Sequence, residues 1–537
     1  MAWPRDRAVG PGELLTRLPV NDPADPLERA TSLWELVLRR AELTPGRPML
    51  IDAEDRTLTF GGLAERAVVV AAGLAEMGVG EGSVVSWQLP SRLDSVVLSV
   101  ALSRLGAVQN PIIHLYRERE VGFALRQTGA RLFVVPGEWR GTDYVALAER
   151  ALADAAVRPD LLVVDDGLPE GDPATLAEAR PTDDIRWIYY TSGSTADPKG
   201  VRHTDGSLIA GGRGLAAALG VTADDVGSVA FPFAHIAGPD YLVTQLTVGF
   251  PAVIVEAFSA PDVLPLYRRH GVTMVGGSTA FYVAFLAEQR KQPGDPILPT
   301  LRLMSGGGAP KPPEIHYEVK DEIGGRGVVH GYGMTEVPMI ANGSPTDTDE
   351  QLANTDGRPV LGAEVRIVGF DGHVAGPDVE GEIRVRGPMV FHGYTDPALN
   401  AEAFDEEGWF RTGDIGRLRA DGHLCITGRV KDVIVRKGEN ISAREIEDLL
   451  YQHPKVAEVA VLGLADPERG ERVCAVVQPA DPADPLTFGE MVAFCREAGL
   501  MTQKTPEQLE VRAEMPRAGT GKILKKALRE EYADHPT

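Results

Sequence analysis

The hydrophobic and polar positions of the chain alternate between a helical and a strand-like spacing. Residues 32–43 place apolar side chains three and four positions apart, which predicts an amphipathic helix. Two short apolar runs at 83–90 and 107–113 enclose a helical run that ends at Gly106, and this order predicts a strand, a helix and a second strand. Because a strand that returns through a helix pairs in parallel with the first, the pattern favours a parallel sheet covered by helices.

The same alternation recurs at 221–258 and 261–310, whereas 359–395 has short apolar runs divided by turn residues, which predicts a small antiparallel barrel or sheet. A compact α+β pattern follows: strand-like runs at Val433–Val435 and 456–463, helical runs at 442–452 and 488–497, and a Pro/Asp-rich link at 479–485. The fold class is therefore predicted as α/β. A large N-terminal domain, residues 1–430, has parallel αβα subdomains and a small β-barrel, and a small α+β C-terminal domain spans residues 431–537.

The composition is that of a globular chain with more than one core, because its 537 residues are 43% hydrophobic and 24% charged. The net charge of −23 argues against a nucleic-acid surface, which would need clustered lysines and arginines to displace counterions. Any anionic ligand must then be held by positive charge that is concentrated locally.

The sequence predicts a cytoplasmic location. Its three cysteines show neither metal-ligand spacing nor a paired framework, which fits a reducing compartment. Residues 1–7 are not followed by an apolar signal-peptide region. The most apolar long stretch, 226–258, is interrupted by polar residues and falls short of the ~20 apolar residues that span a bilayer. No membrane insertion is expected.

The stretch 189–201, Tyr-Tyr-Thr-Ser-Gly-Ser-Thr-Ala-Asp-Pro-Lys-Gly-Val, follows an apolar strand-like run and has the composition of a phosphate-binding loop. Its hydroxyls and Lys199 offer donors and positive charge, and Gly193 lets backbone N–H groups approach an anion. Lys199 precedes Gly200 rather than serine or threonine, so the spacing disfavours a Walker-type nucleotidase. By itself, the stretch is also compatible with a surface loop rich in small polar residues.

Further segments, in the same order, resemble the adenylate-forming superfamily, which includes acyl-CoA synthetases, luciferases and the adenylation domains of peptide synthetases. Besides 189–201 they are Phe231–Gly238, Ser305–Pro310, Gly331–Glu336, Gly408–Asp414, Gly428–Asp432 and Pro516–Lys522. The resemblance covers nearly the whole chain. It implies an enzyme that uses ATP and Mg²⁺ to convert a carboxylic acid to acyl-AMP and then transfers the acyl group to coenzyme A. It also implies a mobile C-terminal domain and allows a homodimer.

The resemblance assigns a nucleotide site to several of these segments. Tyr332 would stack on adenine, Thr335 would bond an α-phosphate or acyl oxygen, and the Glu336 carboxylate would hold Mg²⁺. Asp414 would accept from the ribose hydroxyls, and Arg429 would meet the ribose or a phosphate. The predicted nucleotide-binding residues are Thr191, Ser192, Gly193, Ser194, Thr195, Lys199, Gly307, Gly308, Ala309, His330, Gly331, Tyr332, Gly333, Met334, Asp414 and Arg429.

Lys522 is predicted to stabilise the first transition state. A carboxylate that attacks the α-phosphate of ATP brings two anions together, so a cation is needed between them. The acid is already ionised at neutral pH, and no general base is required. Glycines at 519 and 521 would let the loop around Lys522 enter a cleft. The predicted catalytic residues are Lys522, Thr335, Glu336 and His235.

The second half-reaction in the family requires the C-terminal domain to swing about a hinge, which Lys431 matches, and to present the segment 435–440 to the site. Most acyl-CoA synthetases have two glycines before the acidic residue of this segment, whereas here Lys437 precedes Gly438. The lysine could narrow the thiol tunnel or pair with CoA phosphates. An adenylation-only enzyme that passes acyl-AMP to a partner enzyme or carrier is therefore the alternative.

The acyl pocket is predicted to include His235, Gly277, Ser278 and Thr279. Small side chains leave room for a bulky acid, and no aspartate matches the kind that holds an amino group, so an uncharged aliphatic or ring-bearing acid is favoured. Residues 110–120 and 195–205 look like enzymes described as cyclohexanecarboxylate–CoA ligases, which points to alicyclic, terpenoid or steroid-derived acids. Two other classes fit less well. A luciferase-like oxygenase has no specific support, and retention of Lys522 and Glu336 disfavours a non-catalytic acyl-nucleotide binder.

Overall fold

The computed structural model describes residues 27, 29–153, 158–165, 167–180, 182–191, 198–436, 439–467, 469–517, 523–533 and 535. Over these residues the α-helices are α1 (Leu33–Leu43), α2 (Phe60–Glu76), α3 (Leu93–Leu105), α4 (Glu118–Thr128), α5 (Tyr144–Ala151), α6 (Asp205–Leu219), α7 (Ala237–Val248), α8 (Ala260–His270), α9 (Thr279–Gln289), α10 (Pro313–Glu318), α11 (Asp349–Asn354), α12 (Asn400–Ala403), α13 (Ala443–Leu450), α14 (Phe488–Glu497) and α15 (Lys525–Tyr532). None of the described helices is long and apolar enough to cross a membrane.

The strands of the described residues are β1 (Pro48–Ile51), β2 (Thr57–Thr59), β3 (Val84–Trp87), β4 (Val108–Pro111), β5 (Leu132–Val135), β6 (Glu138–Trp139), β7 (Thr142–Asp143), β8 (Asp160–Val163), β9 (Trp187–Thr191), β10 (Lys199–His203), β11 (Gly227–Val229), β12 (Ala252–Ile254), β13 (Met274–Gly277), β14 (Leu303–Gly306), β15 (Val328–Met334), β16 (Val337–Asn342), β17 (Arg358–Pro359), β18 (Glu364–Val368), β19 (Gly381–Arg386), β20 (Phe410–Leu418), β21 (Leu424–Arg429), β22 (Val433–Arg436), β23 (Glu439–Ser442), β24 (Val456–Asp466), β25 (Gly470–Pro479) and β26 (Gln508–Val511).

The predicted parallel sheets are present. A six-stranded sheet has the order β10-β9-β4-β3-β5-β8, and all its neighbours run parallel except β9 and β10. A second sheet has the order β11-β12-β1-β2, and its first three strands are parallel. Strand β5 is buried along its whole length, which explains its continuous apolar sequence, because both faces of such a strand are covered. The helix predicted at 32–43 is α1, and the hydroxyl of Ser32 caps it by accepting from the Glu35 N–H.

A third sheet has the strand order β13-β14-β15-β16-β17, and its pairing changes from parallel to antiparallel along that order. Strands β13, β14 and β15 are parallel, and β16 and β17 continue the sheet in antiparallel pairing. The antiparallel unit expected at 359–395 is a four-stranded sheet, β18-β19-β20-β21. Only β18 and β19 come from the expected range, and the other half follows at 410–429. A shared core of buried side chains, which includes Tyr332 and Tyr394, joins this unit to β10 and the β15–β16 hairpin.

The C-terminal elements form a separate sheet with the order β23-β22-β25-β24, in which β26 pairs in parallel with β25. Apolar residues of α13 and α14 pack on one face of this sheet, and those of α15 pack on the other. The sheet contacts the preceding unit where the Ser442 hydroxyl donates to the carbonyl of Thr427 on β21. The predicted helix at 488–497 coincides with α14, whose start is fixed by a capping box of Thr487 and Glu490.

Candidate active site

Glycines end β13 and β14, two of the three parallel strands of the third sheet. In the register of the sheet, Gly277 lies beside Gly306, and Gly306 lies beside His330. A Cβ atom on Gly306 would lie 1.9 Å from the carbonyl oxygen of Gly277, and one on Gly307 would lie 2.5 Å from that of Gly331. The close backbone contacts therefore require glycine at these positions. The carboxyl edge of parallel strands is where open α/β sheets bind their ligands.

The turn between β15 and β16 carries two of the predicted catalytic residues. Met334 pairs with Val337, so Thr335 and Glu336 form the two-residue connection. Gly333 allows this turn to be tight, because a Cβ atom there would lie 2.1 Å from the carbonyl oxygen of Pro338. The buried imidazole of His203 restrains the turn, because its Nε2–H donates to the Thr335 carbonyl at 2.8 Å. Burial lowers the pKa of His203 to about 4, so this ring is neutral at physiological pH.

The Glu336 carboxylate is buried beside a tyrosine and a lysine. The Tyr394 hydroxyl donates to Glu336 Oε1 at 2.8 Å, and the Lys199 ammonium lies 5.0 Å from the centre of the Tyr394 ring. Burial raises the pKa of Glu336, whereas the Tyr394 bond and the charge of Lys199 lower it. A buried carboxylate with a single side-chain donor retains lone pairs for a cation.

Among the described residues, Glu336 belongs to no larger cluster of possible metal ligands. Within the described ranges, no group of at least three His, Cys, Asp or Glu side chains could hold an ion. Mg²⁺ is usually bound through one or two carboxylates together with substrate phosphates, and does not need an all-protein cage. Glu336 fits that mode of binding, provided that phosphate oxygens complete the coordination.

A second polar group lies where β15 meets the antiparallel sheet. The Tyr332 hydroxyl donates to Asp414 Oδ2 at 2.6 Å, and Arg429 Nε lies 3.0 Å from Asp414 Oδ1. Asp414 and Arg429 face each other across β20 and β21, and the Asp414 N–H donates to the hydroxyl of Thr412. Tyr332 is 7% exposed, and its burial raises the pKa of its hydroxyl, which therefore remains a donor at neutral pH. Each oxygen of the Asp414 carboxylate can therefore accept a further hydrogen bond.

The stem of the hydroxyl-rich loop is fixed by residues distant in sequence. Thr191 and Lys199 face each other at the ends of β9 and β10. The Oε1 atom of Gln127 on α4 accepts from the Tyr190 hydroxyl at 2.9 Å and from the Thr395 hydroxyl at 2.6 Å. The two strands and the segment that contains Tyr394 are thereby held in one arrangement.

The remaining predicted residues lie around the glycine edge. Thr279 follows Ser278 at the start of α9 and donates its hydroxyl to the Pro310 carbonyl at 2.7 Å. His330 Nε2–H donates to the Ala309 carbonyl at 3.1 Å, and burial lowers the pKa of His330 to about 4. Gly308 has a φ of +77° with nothing near its Cβ position, so the chain is open at that point.

His235 and Lys431 lie at loop positions, His235 apart from these groups and Lys431 near Asp414 and Arg429. His235 is exposed in the turn before α7, where its Nδ1 accepts from the Ala237 N–H at 3.2 Å. Lys431 lies in the short turn between β21 and β22, close enough to Arg429 and Asp414 to interact with them electrostatically. Seven of the predicted residues lie outside the described residues: Ser192, Gly193, Ser194, Thr195, Lys437, Gly438 and Lys522.

Three residues of the site were not predicted from the sequence: Gln127, His203 and Tyr394. Two of them act directly on a predicted residue from a different segment, because His203 bonds the Thr335 backbone and Tyr394 bonds Glu336, whereas Gln127 bonds Tyr190 and Thr395. The available signal was weak. Tyr394 follows Gly393 shortly after a strand, and His203 ends the strand that Lys199 begins, but neither spacing identifies a partner 58 or 132 positions away.

The fold and this arrangement define an adenylate-forming enzyme. A family profile described as AMP-binding enzyme matches residues 37–395, and one described as AMP-binding enzyme C-terminal domain matches residues 445–522. The chain therefore belongs to the AMP-binding enzyme family, and the resemblance inferred from the motifs is confirmed.

Similar proteins include enzymes named as CoA ligases and one named as an AMP ligase. The chain is 32% identical over 514 residues to the medium-chain fatty-acid–CoA ligase of Escherichia coli (strain K12), covering 93% of this chain and 90% of the relative. It is 32% identical over 508 residues to the salicyl-AMP ligase / salicyl-S-ArCP synthetase of Mycobacterium tuberculosis, covering 90% and 88%. The structure of o-succinylbenzoate CoA synthetase from Bacillus subtilis with its acyl-adenylate intermediate aligns with a TM-score of 0.80 and 29% identity, covering 92% of this chain and 97% of that one.

Proposed function

We propose that the protein is an AMP-forming acid–CoA ligase. It activates a carboxylic acid with ATP, releases pyrophosphate and transfers the acyl group from acyl-AMP to coenzyme A. The observation that carries this proposal is the presence of two sets of polar side chains, close enough for Asp414 of one to interact electrostatically with Glu336 of the other. Lys199, Tyr394 and Glu336 form one set, and Tyr332, Asp414 and Arg429 form the other. The first set suits the phosphate end of a nucleoside triphosphate, and the second set suits its nucleoside end.

In this proposal the nucleoside lies against Tyr332 and Asp414. The ring of Tyr332 faces the adenine, and the Asp414 carboxylate, which Arg429 contacts at 3.0 Å, accepts from the ribose hydroxyls. The phosphates extend toward Lys199 and the hydroxyl-rich loop, whose N–H and O–H groups donate to their oxygens. Glu336 would hold Mg²⁺, and the bound metal would neutralise phosphate charge and orient the leaving pyrophosphate.

The chemistry of the first step is an in-line displacement. A carboxylate oxygen of the acid forms a bond to the α-phosphorus, and the bond from that phosphorus to the bridging oxygen of pyrophosphate breaks. The charge that develops on the phosphoryl oxygens is stabilised by preorganised donors around Thr335 and by the ammonium of Lys522. Catalysis consists of positioning and electrostatic stabilisation, and no side chain of the chain has to remove a proton.

Lys522 provides a direct test. Replacing Lys522 by alanine is expected to slow acyl-AMP formation by about two to three orders of magnitude, the usual effect of losing one transition-state stabiliser. Pyrophosphate release in the absence of CoA measures this step. Lys526→Ala, which removes an exposed lysine of the same tail, is the control and should leave the rate unchanged. Equal rates for Lys522→Ala and the unaltered protein would exclude the proposed role.

The C-terminal domain, residues 431–537, is proposed to move about Lys431 between the two half-reactions. In the sequence Lys437 falls between β22 and β23, two strands that pair up to Arg436 and Glu439, and it lies outside the described residues. A lysine there leaves two possibilities. It either pairs with CoA phosphates, as in a complete ligase, or obstructs the thiol, as in an adenylating enzyme that hands acyl-AMP to a carrier. The M. tuberculosis relative, named for both an AMP ligase and an ArCP synthetase activity, supports keeping the second possibility.

The acid is proposed to be bulky and uncharged beyond its carboxylate, of the alicyclic, terpenoid or aliphatic kind. Support comes from the small residues at the ends of β13 and β14, and from the half-buried pair of Phe258 and Phe281, whose rings stack at 4.0 Å. An acyl pocket at this edge would have an apolar wall in these two rings. A cytoplasmic location and a homodimer remain predictions.

Mass spectrometry of the purified protein with ATP, Mg²⁺ and a panel of alicyclic, terpenoid and fatty acids tests the proposal. Each acid is incubated with and without CoA. Acyl-AMP without CoA and acyl-CoA with it would establish the complete ligase. Acyl-AMP that persists in the presence of CoA would identify the adenylating enzyme instead, and the absence of both products for every acid would contradict the proposed function.

A further inference from the structure

Tyr394 occupies a central position between the two charged groups at the proposed phosphate end of the site. It is 4% exposed, and it contacts Glu336 through its hydroxyl and Lys199 through its ring. We infer that Tyr394 is a positioning residue that keeps Lys199 and Glu336 separated and fixes their orientation. Lys199 is then positioned to bind phosphate, and Glu336 is positioned to bind Mg²⁺. The inference rests on the proposed ATP-dependent function.

The hydroxyl of Tyr394 fixes the carboxylate. It donates to Glu336 Oε1 at 2.8 Å, and no other side chain within the described ranges donates to this carboxylate. The backbone of Glu336 is held from the same side, because its carbonyl accepts from the Phe391 N–H at 2.9 Å. A carboxylate that is restrained in this way loses less conformational freedom when it binds a cation.

The ring of Tyr394 fixes the lysine. The Lys199 ammonium lies 5.0 Å from the ring centre, a distance at which the negative face of an aromatic ring attracts a cation. Lys199 and Glu336 interact electrostatically but do not form a direct ion pair in the part of the chain that is described. A direct pair would neutralise both groups and would have to be broken before phosphate and metal could bind. Tyr394 keeps them separate.

Tyr394 itself is held firmly enough to act as a spacer. Its segment runs beside β10: the Thr395 N–H donates to the Gly200 carbonyl at 2.8 Å, and the His392 N–H donates to the Arg202 carbonyl at 2.8 Å. The Tyr394 N–H donates to Asn400 Oδ1 at 2.7 Å. Backbone and side chain are therefore both anchored, and the separation between Lys199 and Glu336 is set by one rigid phenol.

The two contacts can be separated by two substitutions. Tyr394→Phe keeps the ring over Lys199 and removes the bond to Glu336, whereas Tyr394→Leu removes both. ATP binding is measured by titration calorimetry in EDTA and again in excess Mg²⁺, and the ratio of the two dissociation constants gives the gain from the metal. Tyr317→Phe, at an exposed tyrosine, is the matched control.

Tyr394→Phe is expected to leave ATP binding in EDTA within about twofold and to reduce the gain from Mg²⁺ by about three- to tenfold, as for the loss of one hydrogen bond to a charged group. Tyr394→Leu is expected to weaken binding in EDTA as well, by about two- to fivefold, because the contact with Lys199 is lost. In a Glu336→Gln background, Tyr394→Phe should have no further effect on the gain from Mg²⁺.

The outcomes distinguish this inference from the proposed function. If the unaltered protein binds MgATP and Tyr394→Phe retains the full gain from Mg²⁺, or loses affinity equally in EDTA and Mg²⁺, the spacer role is wrong while the ligase proposal stands. If the unaltered protein binds no ATP under either condition, both fail. Thermal unfolding of each variant checks that it is folded. If Tyr394→Leu is unstable, the result for Tyr394→Phe alone tests the inference.

Discussion

At the scale of single residues, the least expected group is a carboxylate that has no cation beside it. Asp240 on α7 is 2% exposed, and its Oδ1 atom has no hydrogen-bond partner within the described ranges. It lies against Gly211 of α6, where a Cβ atom would come within 2.5 Å of Oδ1. Burial raises the pKa of Asp240 to about 8. Asp240 is therefore mainly in its neutral, protonated form below about pH 8.

Asp240→Asn should stabilise the protein in a manner that depends on pH. Because the folded-state pKa of about 8 lies above the ordinary value of 3.8, the favourable contribution of the aspartic acid is complete below about pH 4 and is lost as the pH rises toward 8. An amide cannot ionise and avoids that loss. We expect the melting temperature to rise by about 2–4 °C at pH 8 and by little at pH 5, measured by calorimetry.

Asp262→Asn, an exposed aspartate in the first turn of α8, is the control for Asp240→Asn and should show no such pH dependence. A shift of equal size at pH 5 and pH 8 for Asp240→Asn would mean that packing, and not ionisation, is responsible.

Single residues also show how far the sequence could be interpreted. Tyr332, Glu336 and Asp414 lie in motifs that specify both residue type and spacing, and the structure brings them into two adjoining groups. Gln127 and Tyr394 lie in no such motif. Their roles depend on contacts across 268 and 58 positions of sequence, which only the assembled fold creates.

At the scale of elements, the β15–β16 hairpin determines where the proposed metal ligand lies. Gly333 permits the close approach of the Pro338 carbonyl, and His203 restrains the turn through its hydrogen bond to the Thr335 carbonyl. The sequence predicted elements well where local chemistry fixes a boundary, as at α14 with its capping box. It predicted only half of the antiparallel sheet, because β20 and β21 contain binding motifs that obscure their strand pattern.

Gly333→Ala should displace this hairpin. The new Cβ atom would lie 2.1 Å from a backbone oxygen, so the strands must separate and Glu336 must move. We expect MgATP affinity to fall by roughly tenfold and stability to fall by about 1–3 kcal/mol, the range for overpacked sites. Calorimetric titration and thermal unfolding measure the two effects.

Gly489→Ala is the control for Gly333→Ala, since nothing lies within 4 Å of its Cβ position near the start of α14. It should leave nucleotide affinity unchanged. Wild-type affinity in Gly333→Ala would show that the turn tolerates rearrangement.

At the scale of the whole molecule, α13 forms part of the contact between the C-terminal sheet and the rest of the chain. Arg444 is close enough to Lys311 to interact with it electrostatically, and Asp356 lies near both Lys311 and Asp448 of α13. Lys311 is 8% exposed and donates to the Ala353 carbonyl at 2.8 Å, and burial lowers its pKa to about 8. The charges at this contact are therefore partly removed from solvent.

Arg444→Ala should weaken this contact. Loss of this half-buried guanidinium, which offsets the repulsion between Asp356 and Asp448, is expected to reduce the free energy of docking by about 1 kcal/mol, which corresponds to a roughly fivefold change in the undocked population. Limited proteolysis of the connecting turn, residues 430–432, should accelerate by a similar factor. Arg496→Ala, on the exposed end of α14, is the control. Unchanged cleavage in Arg444→Ala would show that α13 does not hold the docked arrangement.

The pairing of residues 392–395 with β10 has a consequence for synthesis of the protein. Strand β10 is the edge of the six-stranded sheet, and Val201 bridges to Tyr394 across almost two hundred residues of chain. During translation the sheet can form long before its partner segment leaves the ribosome, and an unpaired edge is prone to associate with other chains. The nascent chain is therefore most in need of chaperone protection while residues 204–391 are being made, before its nucleotide site is complete.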